Sequence, residues 1–481
     1  MLSKIYLTTT LPYVNADPHI GFALEIVETD IIARYYRFLG HEVFFNTGTD
    51  EHGAKIYQAA TVAGEEPRAY VEEFAGRFQK LKTALDLSYD HFSRTTNPAH
   101  ISAAQEFWRR CQKAGDIYKK NYRVKYCVGC ELEKTDSELD NGHCPLHLNN
   151  EVEIREEENY FFRFSKYQDQ LLKLYDSRDF VVPASRLHEI KTFVTAGLQD
   201  FSISRLTVKM PWGVPVPDDD SQTIYVWFDA LINYISAIGW PNDLKNFEQW
   251  WPTIQFAGKD NLRQQAAMWP AMLMSAGLPP PKQIMIHGFI TNAEQKMSKS
   301  LGNVIDPIKL VEEYGTDAVR YFLARHVQPF EDTDVTRDKF KEVYNANLAN
   351  GLGNLVSRIM KMASANEIKF DEAEAKKITD TEEFSNYHKE QIESFGGFEI
   401  QKAADVIWRG ITTADELIQH EQPFKKIKTD KVGAEKDIKN LLARLWFIGV
   451  MLEPFMPQTA KTIIGLVTNN QMPAQPLFPR K

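Results

Sequence analysis

The pattern that most restricts the fold of this chain is an alternation of strands and helices that stops near Gly115 and resumes after Ser221. Residues 5–10 alternate like a strand, a turn-rich stretch follows, and apolar residues then recur at helical spacing across residues 19–38. Three further strands are predicted at residues 43–45, 223–227 and 284–287, and a helix is predicted at residues 260–276. This order predicts an α/β fold in which an insertion splits a Rossmann-like, doubly wound parallel sheet.

Beyond residue 344 the chain changes to long helical stretches with an apolar face, which predicts a helical bundle. These stretches cover residues 355–365, 398–419 and 436–451, and the charged residues 371–383 are expected to form a solvated connection. A chain of 481 residues exceeds the size of a single core. We therefore expect five parts. The first half-sheet covers residues 1–115, the insertion 116–221 and the second half-sheet 222–290. A mobile lysine-bearing loop with the segment after it covers 291–343, and the bundle covers 344–481.

The composition, with 43% hydrophobic and 25% charged residues, is that of a soluble globular protein. No apolar run approaches the ~18 to 20 residues that span a bilayer, and the first residues enter a strand without the pattern of a signal peptide. A cytoplasmic protein that does not bind membranes is expected. The net charge of -9 argues against general affinity for polyanions, although a local basic face can still hold a nucleic acid.

Four potential soft ligands are spaced like a metal site, in the pairs Cys127-x-x-Cys130 and Cys144-x-x-His147. Sulfur and imidazole in this number match a closed tetrahedral zinc site, so we expect one structural zinc ion that holds the insertion together. Unrelated thiols are the alternative. The fourth cysteine, Cys111, lies outside the cluster and is expected to be a buried free thiol.

Two short motifs fit a nucleotide site divided between distant parts of the chain. His19 and Gly21 stand at a predicted helix start, where free N–H groups and the helix dipole favour phosphate, His19 can donate a hydrogen bond, and Gly21 permits close approach. Lys296 and Lys299, in Lys-Met-Ser-Lys-Ser, can cover a pyrophosphate leaving group. Each motif alone also fits a chance helix start or a solvated loop. Together, in this order, they resemble the paired signatures of class I aminoacyl-tRNA synthetases.

Three further runs are similar to the methionyl-tRNA synthetase family: Leu-Pro-Tyr-Val-Asn at 11–15, Thr-Asp-Glu-His-Gly at 49–53 and Tyr-Val-Trp-Phe-Asp-Ala at 225–230. The resemblance covers nearly the whole chain. It implies activation of L-methionine with Mg-ATP to methionyl-adenylate and pyrophosphate, then transfer to the 3′-terminal ribose of tRNA(Met).

The same resemblance implies that Asp50 pairs with the substrate ammonium and that a set of side chains forms the methionine pocket. These are Leu11, Tyr13, Trp227, Ala230, Tyr234 and Gln265. Aromatic rings suit a polarizable thioether. Ordinary core packing is the alternative for Trp227 and Tyr234.

By resemblance, ATP would also contact Gly258, Lys259, Asp260 and His287, with His19, Lys296 and Lys299 as the catalytic contacts to phosphate. Asp260 fits a helix cap equally well, and His287 fits a buried core histidine. Segment 291–343 would include a region that contacts the tRNA stem.

In the helical domain the resemblance implies anticodon contacts by Asn354, Arg358 and Phe424. Phe424 stands where a tryptophan is expected, and a solvated helix face is the alternative for Asn354 and Arg358.

The sequence departs from the family at two positions, Phe22 in place of a histidine and Gln265 in place of another. A missing charge-assisted contact to phosphate would be worth roughly 1.5–3 kcal/mol. Two rivals therefore stay open: a related synthetase for an aliphatic or thiol amino acid, and a non-catalytic tRNA-binding protein. The chain lacks the appended tRNA-binding and dimer-forming domain of some relatives, so a monomer is expected.

Overall fold

The computed structural model describes residues 3–129, 132–134, 139–146, 152–177, 179–292, 295–296 and 304–481. The strands of this part of the chain are β1 (Lys4–Thr8), β2 (Glu42–Thr49), β3 (His91–Arg94), β4 (Ile117–Cys127), β5 (Leu132–Lys134), β6 (Glu153–Phe162), β7 (Val181–Val182), β8 (Phe201–Ser202), β9 (Ser204–Leu206), β10 (Pro215–Val216), β11 (Asp219–Ile224), β12 (Ile254–Gly258), β13 (Gln283–His287), β14 (Ile290–Asn292), β15 (Gln295–Lys296) and β16 (Thr333–Asp334).

The α-helices in the same part are α1 (Ile20–Phe38), α2 (Ala54–Ala63), α3 (Pro67–Ala84), α4 (Pro98–Lys113), α5 (Gln168–Ser177), α6 (Ala184–Thr195), α7 (Val226–Ala230), α8 (Asn233–Ser236), α9 (Leu244–Trp250), α10 (Trp269–Ser275), α11 (Pro307–Tyr314), α12 (Thr316–His326), α13 (Arg337–Val343), α14 (Asn354–Ala365), α15 (Glu372–Thr379), α16 (Glu382–Gly396), α17 (Ile400–Glu421), α18 (Pro423–Lys426), α19 (Lys431–Leu452) and α20 (Pro457–Thr468). Short 3-10 helices occupy Phe164–Tyr167 and Lys259–Asn261, and π-helical segments occupy Gln264–Met268 and Tyr344–Gly353.

The main sheet is parallel, with the described strands in the order β3-β2-β1-β12-β13-β7. The chain winds outward from β1 to β3 on one side and later from β12 to β13 on the other, so the direction reverses between β1 and β12. Ligands of such sheets bind beyond the carboxyl ends of the strands at this point. The predicted doubly wound sheet is confirmed.

The central strands consist of apolar residues, because both faces of this sheet are packed against other parts of the protein. Leu7 and Phe256 lie in the core on the side of α1, whereas their neighbours Tyr6 and Ala257 lie in a second core on the opposite face. Successive side chains of a strand point to opposite faces, and strands buried on both faces are therefore continuously apolar.

The insertion is built on a long antiparallel pair, in which β4 runs opposite β6 from the pair Ile117 and Phe162 to the pair Tyr126 and Glu153. In this register the acidic start of β6 lies opposite residues 121–126 of β4, and Arg123 and Glu156 occupy directly paired positions. β7 already pairs with β13, so the chain re-enters the main sheet well before residue 221, earlier than predicted.

The predicted strand 223–227 is wrong in its second half. β11 ends at Ile224, Tyr225 has extended backbone angles, and α7 begins at Val226. A short apolar run buried on all sides has no periodicity that separates a strand from a helix.

The predicted continuous helix 260–276 is also interrupted. Pro270 has no N–H to donate to the carbonyl of Ala266, and the π-helical segment Gln264–Met268 precedes it. The hydroxyl of Tyr175, from α5, donates to the Ala266 carbonyl at 2.7 Å. A distant side chain thus stabilises the break, which sequence periodicity does not reveal.

The helical domain begins with the π-helical segment after α13 and packs α14 and α17 against α19. The predicted helices are present, but the predicted solvated connection 371–383 instead contains α15, which buries Ala375 and pairs Glu374 with Lys439 at 3.0 Å. In the described part of the chain, no helix has the length and apolar character required to cross a bilayer.

A fully buried arginine, Arg320 of α12, joins this domain to the sheet domain. Its guanidinium lies 2.8 Å from the Asp30 carboxylate of α1 and donates to the carbonyls of Leu85, Pro454 and Phe455 at 2.9–3.1 Å. Every partner is an acceptor, so the charge is neutralised and the remaining N–H groups are satisfied.

Replacing Arg320 with Met should lower the free energy of unfolding by about 3–5 kcal/mol, because it leaves the Asp30 carboxylate buried without its main counter-charge. Urea unfolding followed by circular dichroism measures the change. Arg337→Met is the matched control, since Arg337 pairs with Glu313 on the surface, where a pair contributes about 0–1 kcal/mol. Equal small effects of the two substitutions would contradict the expectation.

Candidate functional site

The switch point between β1 and β12 is bordered by the start of α1. His19 is the N-cap, and its Nδ1 accepts a hydrogen bond from the Gly21 N–H at 3.0 Å. A Cβ at position 21 would lie 2.9 Å from the His19 ring, so any other residue here would make the ring shift from this position. The imidazole therefore lies over the first helical turn, with its ring exposed.

The segment that follows the lysine motif contacts the start of α1. The Ile20 N–H donates to the Ile305 carbonyl at 3.0 Å, and Lys296, in β15, pairs with Thr291 of β14. The segment after the motif is thus bonded to the start of α1, and the segment before it belongs to the small sheet β15-β14-β16. Lys299 lies outside the described residues, as does the side chain of Lys296.

Phe22 turns toward the protein core instead of the cleft. Its ring packs edge-on against Phe78 of α3, with 5.4 Å between ring centres, and it is half-buried. An apolar contact therefore accounts for phenylalanine at this position.

The predicted methionine-pocket residues Tyr13, Asp50 and Trp227 meet at the ends of the first two strands. Tyr13 and Asp50 form an isolated parallel bridge, and the Tyr13 and Trp227 rings meet edge-on with centres 6.3 Å apart. Asp50 is 2% exposed. Leu11 is half-buried in the same loop as Tyr13, and Ala230 is buried at the end of α7.

Tyr234 and Gln265 are joined by a buried hydrogen bond, in which Gln265 Nε2 donates to Tyr234 Oη at 2.8 Å. Because this oxygen already accepts, the Tyr234 hydroxyl proton is directed to another acceptor. Gln265 Oε1 and Trp227 Nε1 are buried without hydrogen-bond partners among the described residues. Buried polar atoms of this kind are costly unless a ligand satisfies them.

A buried charge cluster, which sequence reasoning missed, supports the wall that carries Trp227. Asp229 of α7 accepts from His52 Nδ1 at 2.7 Å and from His100 Nε2 at 2.8 Å. Burial alone would raise the pKa of Asp229, but the charges and hydrogen bonds of the two histidines lower it to about 2. The three residues are far apart in the chain. The sequence showed only the separate motifs that contain His52 and Asp229, and it gave no indication that they meet.

His287 lies at the carboxyl end of β13, where its two ring nitrogens contact the Glu25 carboxylate at 2.9 Å and the Gly288 carbonyl at 2.7 Å. The other Glu25 oxygen accepts from the backbone and hydroxyl of Thr10, at the end of β1. The histidine thus braces α1 against the strand ends.

The remaining predicted ATP contacts lie at the end of β12. Gly258 is the last residue of the strand, Lys259 pairs with Asp332 at 2.7 Å, and Asp260 accepts from the Asn261 amide at 3.1 Å. Asp260 lies within the short 3-10 helix Lys259–Asn261, whose N-cap is Gly258.

Cys127 ends β4 and, like Cys144, is fully buried. Cys130 and His147 lie outside the described residues, and within the described part no group of three or more metal-ligating side chains occurs. Cys111 is a buried thiol as predicted, and burial raises its pKa to about 12.

The three predicted anticodon residues lie on two helices, Asn354 and Arg358 on α14 and Phe424 on α18. Arg358 of α14 pairs with Asp415 of α17, whereas Asn354 is exposed. Phe424 follows the end of α17 and is 46% exposed, an unusual position for so large an apolar ring.

Comparison with known proteins identifies the class of enzyme. The family model described as "tRNA synthetases class I (M)" matches residues 5–151 and 130–360, and that of the "Anticodon binding domain of methionyl tRNA ligase" matches residues 365–475. This chain is therefore a class I aminoacyl-tRNA synthetase.

Relatives and solved structures define the family further. A methionine–tRNA ligase of Thermosynechococcus vestitus is 43% identical over 472 residues, covering 95% of this chain and 89% of that protein. The methionine–tRNA ligase of Thermotoga maritima is 40% identical, and the match covers 98% of this chain and 76% of that protein. The Mycobacterium tuberculosis methionyl-tRNA synthetase in complex with methionyl-adenylate has a TM-score of 0.91 and 35% identity, with 100% of both chains covered. The chain belongs to the methionine–tRNA ligase family, which confirms the predicted activity.

Two buried groups, one on α1 and one packed against it, should make the free energy of unfolding fall as pH rises. Burial raises the pKa of Glu28 to about 8, and although burial alone lowers that of His287, the hydrogen bond and charge of Glu25 raise it to about 9. The folded chain thus holds protons that the unfolded chain releases. For Glu28 this stabilisation is complete below its ordinary pKa of 4.5 and is lost as the pH rises through about 8. For His287 it is complete below 6.5 and is lost as the pH rises through about 9.

Glu28→Gln, which is neutral at every pH, should therefore show a smaller fall in melting temperature between pH 6 and pH 9 than the unsubstituted chain. Each 1 kcal/mol corresponds to about 2–4 °C. Calorimetry at both pH values measures the difference, with the exposed Glu248→Gln as control. Parallel falls in all three proteins would refute the assignment.

Proposed function

We propose that the residues gathered around the switch point activate methionine with Mg-ATP and that the tyrosine–glutamine pair recognises the thioether. The single observation that carries this proposal is the 2.8 Å bond from Gln265 Nε2 to Tyr234 Oη. It leaves the tyrosine proton available to a weak acceptor such as thioether sulfur. The glutamine thus does the orienting work expected of a histidine.

The rest of the pocket suits the other parts of the amino acid. Tyr13 and Trp227 supply aromatic edges and faces for a polarizable side chain, and Asp50, buried at the end of the second strand, supplies a carboxylate for the ammonium group. Leu11 and Ala230 complete an apolar wall. A substrate so held presents its carboxylate toward the start of α1.

In the proposed reaction that carboxylate attacks the α-phosphate, pyrophosphate leaves, and a ribose hydroxyl of tRNA then takes the acyl group. His19 and the positive end of the α1 dipole favour the phosphates, and Lys296 and Lys299 carry the leaving charge. Gly258, Lys259 and Asp260 border the nucleotide, and His287 acts through Glu25. None of these residues becomes covalently modified, so positioning and charge account for the catalysis.

Methionine-dependent exchange of labelled pyrophosphate into ATP tests this proposal. The unsubstituted chain should turn over well above background despite Phe22, because that ring faces the core. Tyr234→Phe should raise the KM for methionine about tenfold, the equivalent of one lost hydrogen bond of about 1.4 kcal/mol, and leave the KM for ATP unchanged. Tyr387→Phe, in the helical domain, is the control. Exchange at background level, or an unchanged methionine KM in Tyr234→Phe, would refute it.

We also propose one structural zinc ion held by Cys127, Cys130, Cys144 and His147. The fit rests on donor chemistry and burial: two of these cysteines are fully buried in the insertion, at the end of β4 and just after the bridge between Asp140 and His143. Such a site, when occupied, crosslinks segments that have little core of their own.

Elemental analysis of the purified chain should therefore give about one zinc per molecule. Cys144→Ser should lose the metal and melt at a lower temperature, because a ligand is removed from a folding-coupled site. Cys111→Ser, equally buried but away from the cluster, should retain it. Metal loss in both variants, or in neither, would count against the proposed ligands.

For tRNA we propose that Asn354 and Arg358 contact anticodon bases and that Phe424 stacks on one of them. The exposure of Phe424 and the polar helix face beside α17 support this role. We further propose a monomeric enzyme of the cytoplasm, with tRNA(Met) as its macromolecular substrate.

A further inference from the structure

The helix that carries Gln265 is interrupted at the level of the proposed methionine pocket. Within the π-helical segment Gln264–Met268, the Gln264 carbonyl accepts from the N–H of Trp269, five residues further on instead of four. Successive residues of an α-helix are about 100° apart, so one extra residue in a turn redirects the side chains before it by about that angle relative to α10. The wide turn therefore decides which side of the helix Gln265 occupies.

This wide turn contains a buried carbonyl that needs a donor from elsewhere in the protein. In a continuous α-helix the Ala266 carbonyl would accept from residue 270, but Pro270 has no N–H. Tyr175 of α5 supplies the donor, since its hydroxyl oxygen lies 2.7 Å from the Ala266 oxygen. Burial raises the pKa of this hydroxyl above its ordinary value of 10, so it keeps the proton that it donates. A side chain of α5 thus fixes the direction of the peptide group next to Gln265.

Tyr175 is itself held in place by the main sheet. It is 4% exposed, and its ring stacks on Phe180 with 6.0 Å between ring centres. Phe180 immediately precedes β7, and its carbonyl accepts from the Ile284 N–H of β13 at 2.8 Å. A rotamer locked by packing on a rigid element can hold a neighbouring group precisely enough for recognition.

The position of Gln265 depends on the wide turn because its own contact is short and buried. Gln265 is 1% exposed, and its Nε2 donates to Tyr234 Oη at 2.8 Å. A displacement of about 1 Å would take this pair beyond hydrogen-bond distance. Without the Tyr175 hydroxyl, the Ala266 carbonyl would be a buried acceptor that lacks this donor, and that cost favours rearrangement of the turn.

We propose that Tyr175 is a positioning residue for methionine recognition, because its hydroxyl holds the wide turn in the arrangement in which Gln265 orients Tyr234. The inference rests on the proposed role of the Gln265 and Tyr234 pair. Tyr175 does not touch the substrate and acts through Gln265. The 3-10 segment Phe164–Tyr167 joins β6 directly to α5, so the insertion contributes a residue to amino-acid selection.

Tyr175→Phe should raise the KM for methionine in pyrophosphate exchange about threefold to tenfold, the range from a weakened to a lost hydrogen bond. The kcat and the KM for ATP should stay unchanged, because only uniform binding of the amino acid is weakened. Norleucine, in which a methylene group replaces the sulfur, makes the readout specific. The ratio of kcat/KM for methionine to that for norleucine should fall by the same factor.

Two control substitutions separate positioning from general loosening. Tyr344→Phe removes another buried hydroxyl that donates to a backbone carbonyl, that of Pro479 at 3.0 Å in the helical domain. Ser275→Ala removes the 2.8 Å bond from α10 to Asp116, beyond the wide turn. Both should leave the methionine KM unchanged. A rise in Ser275→Ala equal to that in Tyr175→Phe would overturn the proposal.

The double variant Tyr175→Phe, Tyr234→Phe distinguishes this inference from the proposed pocket. If Tyr175 acts through Tyr234, its substitution adds nothing to the methionine KM of Tyr234→Phe. Where Tyr234→Phe raises the KM, full additivity or an unchanged KM in Tyr175→Phe alone overturns this inference and leaves the pocket intact. An unchanged KM in Tyr234→Phe would contradict both.

Discussion

The buried pair of Arg320 and Asp30 is the interaction on which the relative placement of the two halves of this enzyme depends. Asp30 lies in the middle of α1, and the same arginine holds the backbone between α19 and α20. Burial alone would raise the pKa of Asp30, but Arg320 and Arg34 hold it below its ordinary value. A single helix thus has its first turn at the proposed nucleotide site and its centre joined, through Arg320, to the anticodon-binding domain.

The same helix carries the electrostatics of the site. Glu25 joins the end of β1 to His287 at the end of β13, across the strand between them, and Glu28 lies buried one turn further along. Asp229 performs a similar task for α7 through two histidines. Charged groups that are paired and buried resist reorganisation, which is what a site that stabilises developing phosphate charge requires.

Sequence periodicity predicted the doubly wound sheet and the helical domain, and the resemblance of the motifs predicted the family. They failed where a distant partner decides local structure. The break in the helix near Pro270 depends on Tyr175, and the turn at Tyr225 depends on burial from all sides. The cluster around Asp229 was invisible because its histidines come from positions 52 and 100. Motif spacing reports local order, whereas these contacts exist only after the chain has folded.

The two departures from the family pattern have different physical consequences. At position 22 a phenylalanine packs on Phe78, so core packing takes the place of the polar contact expected there, and in the proposed site the phosphate charge falls to other groups. At position 265 a glutamine keeps a donor to Tyr234 but leaves its carbonyl oxygen unpaired. Only the second change alters the polarity that a bound amino acid meets. In the methionine pocket that we propose, Gln265 is therefore the position at which substrate selection should depart most from that expected of a histidine.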